Sequence, residues 1–255
     1  MKILILGGTS DARKVVAELE NRDLLKSLQV TYSVAGLVRV PEFSCEVISG
    51  GFTQRGGLTH YLRELGFDLV IDITHPFALQ MSTAAVAACA ELAIPCWRFH
   101  RSAWQAQEGD QWQLFDNWDG LIKATEPYRS IFLTAGQIEK PLVDQFKLQA
   151  ELTGQRQIIR TAAPPKAELP ETMQWLKAIG PFNHADEKQL LIQYDVDLLV
   201  SKNSGGSATE AKLAAARELG VPVFMLERPQ LPAADCLLDS VNDVVNKIEN
   251  KRVGV

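Results

Sequence analysis

The sequence predicts an α/β protein in two halves, each a mainly parallel sheet covered by helices, and three observations carry that expectation. Short β-rich apolar runs alternate with stretches of helical periodicity, the pattern of strands joined by crossover helices. The alternation starts at the second residue, is interrupted by a polar stretch after residue 100, and then resumes. Glycine-containing turns follow several of the strand-like runs directly, as they do where a strand feeds a helix N-terminus. A chain of 255 residues is long enough for two cores, since domains commonly run to roughly 100–150 residues.

The first strand is placed at 2–6, because Ile3-Leu4-Ile5-Leu6 is a continuous apolar run suited to burial on both faces and too short for a secretory leader. A helix follows at 10–20, then strands at 30–34, 46–48, 69–71 and 95–99, with helices at 58–65 and 77–92. The polar stretch 101–119, holding Trp104, Trp112 and Trp118, reads as the crossing between halves. Beyond it, strands are expected at 130–133, 157–160, 174–177, 198–201 and 222–225, and helices at 187–194, 208–219 and 241–250. Pro164-Pro165 and Pro170 mark a loop, since strand signals resume on both sides. The expected domains are therefore 1–100 and 101–255, with no repeat of solenoid period.

Composition narrows the function classes. Hydrophobic residues at 46% and charged residues at 22% are ordinary for a folded, water-soluble chain. The longest apolar run, 84–90, falls far short of the roughly 20 residues that cross a bilayer, so no membrane span is expected and the chain reads as cytoplasmic and unprocessed. Cys45, Cys89, Cys96 and Cys236 form no CxxC pair, which argues against structural zinc and a disulfide framework. A formal charge of −5 opposes nonspecific nucleic-acid binding, so an anionic ligand must meet a local basic pocket.

Chemistry gathers at strand ends. Gly7-Gly8-Thr9-Ser10 follows the first strand and opens a helix, where backbone N–H groups and the helix N-terminus can receive a phosphate. The same residues also suit a plain tight turn with Ser10 as N-cap. After the second strand, Ala35-Gly36-Leu37-Val38-Arg39 lacks the carboxylate that often holds the adenosine ribose of NAD, which favours NADP, with Arg39 a candidate for its 2′-phosphate or else a solvated loop arginine. Gly50-Gly51-Phe52 and Gly56-Gly57 imply a backbone lying close to a cofactor or to a neighbouring loop. Thr74-His75-Pro76-Phe77 ends the fourth strand, and His75 can orient a carboxylate or transfer a proton, whereas the structural alternative is that Thr74 and His75 cap the next helix.

In the second half, Lys202-Asn203-Ser204-Gly205-Gly206 sets one cation, two hydrogen-bonding side chains and two glycines at a helix mouth, a loop suited to an anion or polar ligand, the structural alternative being an N-capped turn with an incidental lysine. Thr134-Ala135-Gly136-Gln137 and Gly180-Pro181-Phe182 end two further strands there. No GxSxG elbow, P-loop or HExxH is present, and His60, His75, His100 and His184 are too scattered for a metal site.

Together, GGT at 7–9, GGF at 50–52, DxTHPFA at 72–78, MS at 81–82, RxxW at 101–104, GPF at 180–182, KNSGG at 202–206, KLAAAR at 212–217 and RP at 228–229 resemble the precorrin-6A and cobalt-precorrin-6A reductase family over nearly the whole chain. The resemblance implies two Rossmann-like three-layer domains with the active cleft between them, and NADPH-dependent reduction of one double bond in a corrin-precursor macrocycle rich in carboxylates. It implies an NADP site at Gly7, Gly8, Thr9, Ser10, Arg39, Gly51, Phe52, Thr74, His75, Pro76 and Phe77 in the first domain. Substrate would meet Lys202, Asn203, Ser204, Gly205 and Gly206 on one side, with His75 and Arg101 on the other, and neighbouring enzymes of the cobalamin pathway are the implied protein partners.

The chain departs from the family pattern at three places. Leu37 stands where Arg usually follows Ala-Gly, residues 50–57 open the compact GGFGG, and Ile179 stands where Arg commonly precedes GPF. The alternative readings are an NADP-dependent reductase of another polycarboxylate and a noncatalytic NADP sensor. A sensor needs no second polar pocket, so the loop at 202–206 argues against it.

Overall fold

The computed structural model describes residues 1–34 and 43–253, and the chain forms two compact units, Met1–Ser102 with Pro229–Val255, and Ala103–Arg228. The first begins with β1 (Lys2–Leu6), α1 (Ser10–Asn21), β2 (Gln29–Val34), β3 (Glu46–Ser49), α2 (Leu58–Leu65), β4 (Leu69–Asp72), α3 (Leu79–Leu92) and β5 (Cys96–Phe99). Ile3 and Ile5 face one hydrophobic layer with Val15, Val16 and Leu19 of α1, while Leu4 and Leu6 face a second layer with Leu62 of α2 and Ala85 of α3. That strand alternation, buried on both faces, is what the unbroken apolar run at the N-terminus encodes.

The second unit comprises β6 (Trp112–Phe115), α4 (Trp118–Ala124), β7 (Ser130–Thr134), α5 (Lys140–Thr153), β8 (Arg156–Thr161), β9 (Met173–Lys177), α6 (His184–Gln193), β10 (Leu198–Lys202), α7 (Ala211–Leu219) and β11 (Val223–Leu226). Phe132, Ile158, Leu199 and Met225 of the sheet pack on Leu191 of α6 and Leu213 of α7. The chain then forms β12 (Cys236–Leu238) and α8 (Val241–Val253).

Among the described residues each sheet has six strands, in the orders β12-β5-β4-β1-β2-β3 and β6-β11-β10-β7-β8-β9, and the strand pairs are parallel. Both orders reverse direction beside a central strand, between β1 and β4 in one sheet and between β7 and β10 in the other. Loops at the carboxyl ends of strands beside such a reversal diverge to opposite faces and leave the crevice where open α/β sheets take ligands.

The expected division into 1–100 and 101–255 needs correction at its far end. Residues 229–255 belong to the first unit, where Cys236, Leu237 and Leu238 pair with Trp97, Arg98 and Phe99, and Val244, Val245 and Ile248 of α8 join the core against α1. Local pattern marks such elements as strand and helix but carries no information on which sheet edge, more than a hundred residues away, they will cover. Four elements, β6, α4, α5 and β12, lie outside the sequence expectation. The helices expected to begin at residues 77, 187 and 208 begin instead at Leu79, His184 and Ala211.

Candidate functional site

At the reversal in the first sheet, Thr9 rather than Ser10 caps α1. Its Oγ1 accepts the Ala12 N–H at 3.1 Å and donates to the Ile73 carbonyl at 2.8 Å, tying the turn after β1 to the loop after β4. Gly8 is exposed and adopts φ +97°, with no atom within 4 Å of where a Cβ would stand, so the turn is open on that side. Gly7 faces inward, and its amide donates to the Ser33 carbonyl at 2.8 Å.

Asp72, at the end of β4, organises the adjoining loop. Its Oδ1 accepts from the Thr74 amide at 3.1 Å and the Thr74 hydroxyl at 2.6 Å, and its Oδ2 accepts from Ser82 at 2.7 Å and Arg98 Nε at 3.0 Å. Asp72 and Arg98 are both buried, and Arg98 also donates to the Pro232 carbonyl at 2.6 Å. Thr74 thus caps no helix. Residues 75–78 form a turn of their own, in which His75 Nδ1 accepts the Phe77 amide at 3.2 Å, the His75 carbonyl accepts the Ala78 amide at 2.7 Å, and Pro76 precedes α3 instead of opening it. His75 is exposed.

The glycines after β3 are open as well, since nothing lies within 4 Å of a Cβ on Gly50 or Gly51. Phe52 turns inward, with its ring 5.3 Å from that of Tyr61 in the core, which leaves its backbone as the part able to face a ligand. Arg101, expected at the substrate, places Nη1 3.2 Å from Asp11 Oδ2 in the first turn of α1. Arg39 lies outside the described residues.

At the reversal in the second sheet, Lys202 is the last residue of β10, with Nζ 6.0 Å from the centroid of the Trp118 ring, and burial lowers its pKa below the usual lysine value. The loop beyond it is braced from two sides. Trp104 donates its amide to Asn203 Oδ1 at 2.9 Å and its indole N–H to the Gly206 carbonyl at 3.1 Å, and Arg228 donates to the carbonyls of Asn203 at 2.8 Å and Ser204 at 3.2 Å. Gly205 and Gly206 take φ +66° and +82°, conformations that side chains disfavour. The Asn203 amide, expected to meet substrate, is engaged with the Trp104 backbone. At the end of the neighbouring β7, Thr134 Oγ1 donates to the Val200 carbonyl at 2.9 Å, and beyond it Gln137 bridges to Ala163 and Pro164 at 3.1 Å each.

Near that loop lies a charge cluster that pattern reading missed. Arg160 of β8 and Glu187 of α6 form a buried two-pronged ion pair, and the Arg160 guanidinium stacks 3.8 Å from the Phe182 ring centroid. Lys212 of α7 is 3% exposed, with its ammonium 5.0 Å from the centre of the Trp104 ring. Burial, reinforced by repulsion from Arg160 and opposed by Glu187, lowers its pKa to about 7. Lys212, Trp104 and Phe182 lie in the KLAAAR, RxxW and GPF segments, far apart in sequence, and the fold gathers them around one cluster.

Two parallel α/β units, each with a glycine loop at its strand-order reversal, form the framework of an oxidoreductase that uses a reduced nicotinamide cofactor, and the comparisons with known proteins assign the chain to that class. The precorrin-6x reductase CbiJ/CobK family matches residues 2–249, and the chain belongs to this family. The precorrin-6A reductase of Rhodococcus erythropolis is 38% identical over 249 residues, covering 97% of this chain and 96% of the relative. That of Rhodobacter capsulatus is 35% identical over 238 residues, covering 92% and 90%. A solved structure, CobK precorrin-6A reductase, superposes with a TM-score of 0.85 at 32% identity, covering 98% of this chain and 96% of the other. The family reduces a carbon–carbon double bond of a corrin-precursor macrocycle in cobalamin biosynthesis. No helix among the described residues is long and apolar enough to cross a membrane.

Proposed function

We propose that the chain reduces metal-free precorrin-6A with NADPH, the first unit holding the dinucleotide and the second holding carboxylates of the macrocycle. The observation that carries this division is the contrast between the two strand-order reversals. One bears an exposed glycine turn at the N-terminus of α1, and the other a cation at the end of β10, where a braced loop begins. A helix N-terminus carries roughly half a positive charge and suits a pyrophosphate, while an ammonium suits a carboxylate. The relatives described above share the name precorrin-6A reductase, which favours the metal-free macrocycle over its cobalt form.

Gly7, Gly8, Thr9 and Ser10 fit the pyrophosphate, because the turn is open where Gly8 lacks a side chain. Gly51 with the backbone of Phe52, and the loop Thr74–Phe77 fixed by Asp72, complete the dinucleotide surface. Asp11 holds Arg101 beside the first turn of α1, and Arg39 is assigned to the 2′-phosphate. When bound, the reduced nicotinamide supplies the hydride. The chain's own task is to hold donor and acceptor in register, worth several kcal/mol when the geometry is right. Lys202 pairs with a carboxylate in a partly desolvated place, Asn203 braces the loop, and Ser204, Gly205 and Gly206 present its backbone.

Absorbance at 340 nm, followed with each macrocycle and each cofactor, tests this reading. NADPH is consumed with precorrin-6A, the product gains two hydrogens by mass, and NADH or the cobalt macrocycle turns over at least 10-fold more slowly. Equal rates with both cofactors, or faster turnover of the cobalt form, contradict it.

A further inference from the structure

Tyr32 of β2 is 1% exposed, and its ring lies against Gly7 so closely that a Cβ there would stand 2.4 Å from two ring carbons. Phe43 holds the ring edge-on with centroids 5.3 Å apart. The Tyr32 hydroxyl accepts the Gly8 N–H at 3.0 Å. A glycine turn ordinarily aims such an amide at a phosphate, but here a side chain has taken it. The Thr9 hydroxyl is engaged as well, with the Ile73 carbonyl and the Ala12 amide.

The hydroxyl proton of Tyr32, in contrast, is given to no acceptor among the described residues. Burial raises the pKa of this phenol, so it remains a donor through neutral pH. A hydroxyl that accepts one hydrogen bond is polarised into a stronger donor for the next. Gly8, whose amide meets this hydroxyl, is itself exposed, with nothing within 4 Å of where its Cβ would stand.

We propose that Tyr32 is a phosphate-binding residue of the first unit: its hydroxyl receives the Gly8 N–H and donates its own proton to the cofactor pyrophosphate, replacing a direct amide contact. The inference rests on the dinucleotide reading above and adds the group that makes the contact. It also accounts for Gly7, where any side chain would displace the ring that carries the donor.

The test compares wild type with Tyr32→Phe, titrating NADPH and, separately, adenosine 2′-monophosphate, which has the adenosine and 2′-phosphate but no pyrophosphate. Loss of a hydrogen bond to a charged group predicts an NADPH Kd raised about 10-fold or more, with the monophosphate Kd unchanged. An unchanged or tighter NADPH Kd overturns the proposal, as does equal weakening for both ligands, which marks a purely structural role. Should the variant fail to fold, the 13Cζ resonance of Tyr32 in wild type decides. It shifts on adding NADPH and not on adding the monophosphate, and the absence of that selective shift overturns the proposal. If wild type binds no NADPH while binding another dinucleotide, the cofactor choice fails, and the same two readouts with that dinucleotide judge Tyr32.

Discussion

Trp104 and Asn203 clasp each other reciprocally: the Trp104 amide donates to Asn203 Oδ1 at 2.9 Å, and Asn203 Nδ2 donates to the Trp104 carbonyl at 3.2 Å. One side-chain amide thereby pairs with a backbone segment as a neighbouring strand would, and the indole N–H of Trp104 fastens the same loop at Gly206.

Asn203→Ala leaves the Trp104 amide and carbonyl without these partners, at a cost of about 1–3 kcal/mol. The expected outcome is a Tm lowered by several degrees, together with a raised KM for the macrocycle and an unchanged NADPH Kd. Circular dichroism and steady-state kinetics check it. An unchanged Tm with a raised KM would return Asn203 to direct substrate contact.

Asp72 and Arg98 are 1% and 4% exposed and meet at 3.0 Å. Breaking a buried pair from one side costs about 3–5 kcal/mol, chiefly because the remaining charge is stranded. Asp72→Asn is therefore expected to destabilise more than the double variant Asp72→Asn with Arg98→Met. Urea unfolding of wild type, the two single variants and the double variant provides the comparison, and additive losses would show that the pair's charges do not matter to each other.

Lys212 gives a pH signature. Its folded pKa of about 7 lies below the ordinary lysine value of 10.5, so between these values the unfolded chain binds more protons and stability rises with pH. Below about pH 7 both states are protonated and the penalty levels off at its maximum, on the order of a few kcal/mol. Lys212→Met removes this dependence. The variant is expected to melt above wild type near pH 7, with the gap closing toward pH 10. A gap that widens with pH would show that burial does not lower the Lys212 pKa.

Much of the architecture could be read locally. The apolar run of β1, the helical spacing of α1 and the glycine-rich turns each placed an element within a few residues of its observed position. α5 carried a usable signal, Val143, Phe146 and Ala150 at spacings of three and four, all buried in the fold. β12 had little to show, being three residues long and defined by pairing with β5, and the membership of α8 in the first core depends on contacts with α1 at the opposite end of the chain. For the site, residue types marked the loops, but not the partners that occupy their side chains. Asn203 reads as a ligand group and acts as a brace, Phe52 reads as a cofactor contact and packs in the core, and Tyr32 reads as an ordinary strand residue and sits at the glycine turn.

The division of labour between the two units is tested most directly at Lys202. Its ammonium ends a buried strand in a partly desolvated setting, where a carboxylate contact should contribute more than the 0–1 kcal/mol typical of exposed pairs. The measurement is kcat/KM for precorrin-6A beside the NADPH Kd, in wild type and Lys202→Ala. The expected result is kcat/KM lowered roughly 10-fold or more with the NADPH Kd and Tm unchanged, on the scale of a charge-assisted hydrogen bond. Full turnover by the variant, or loss of NADPH binding in place of macrocycle binding, would contradict it.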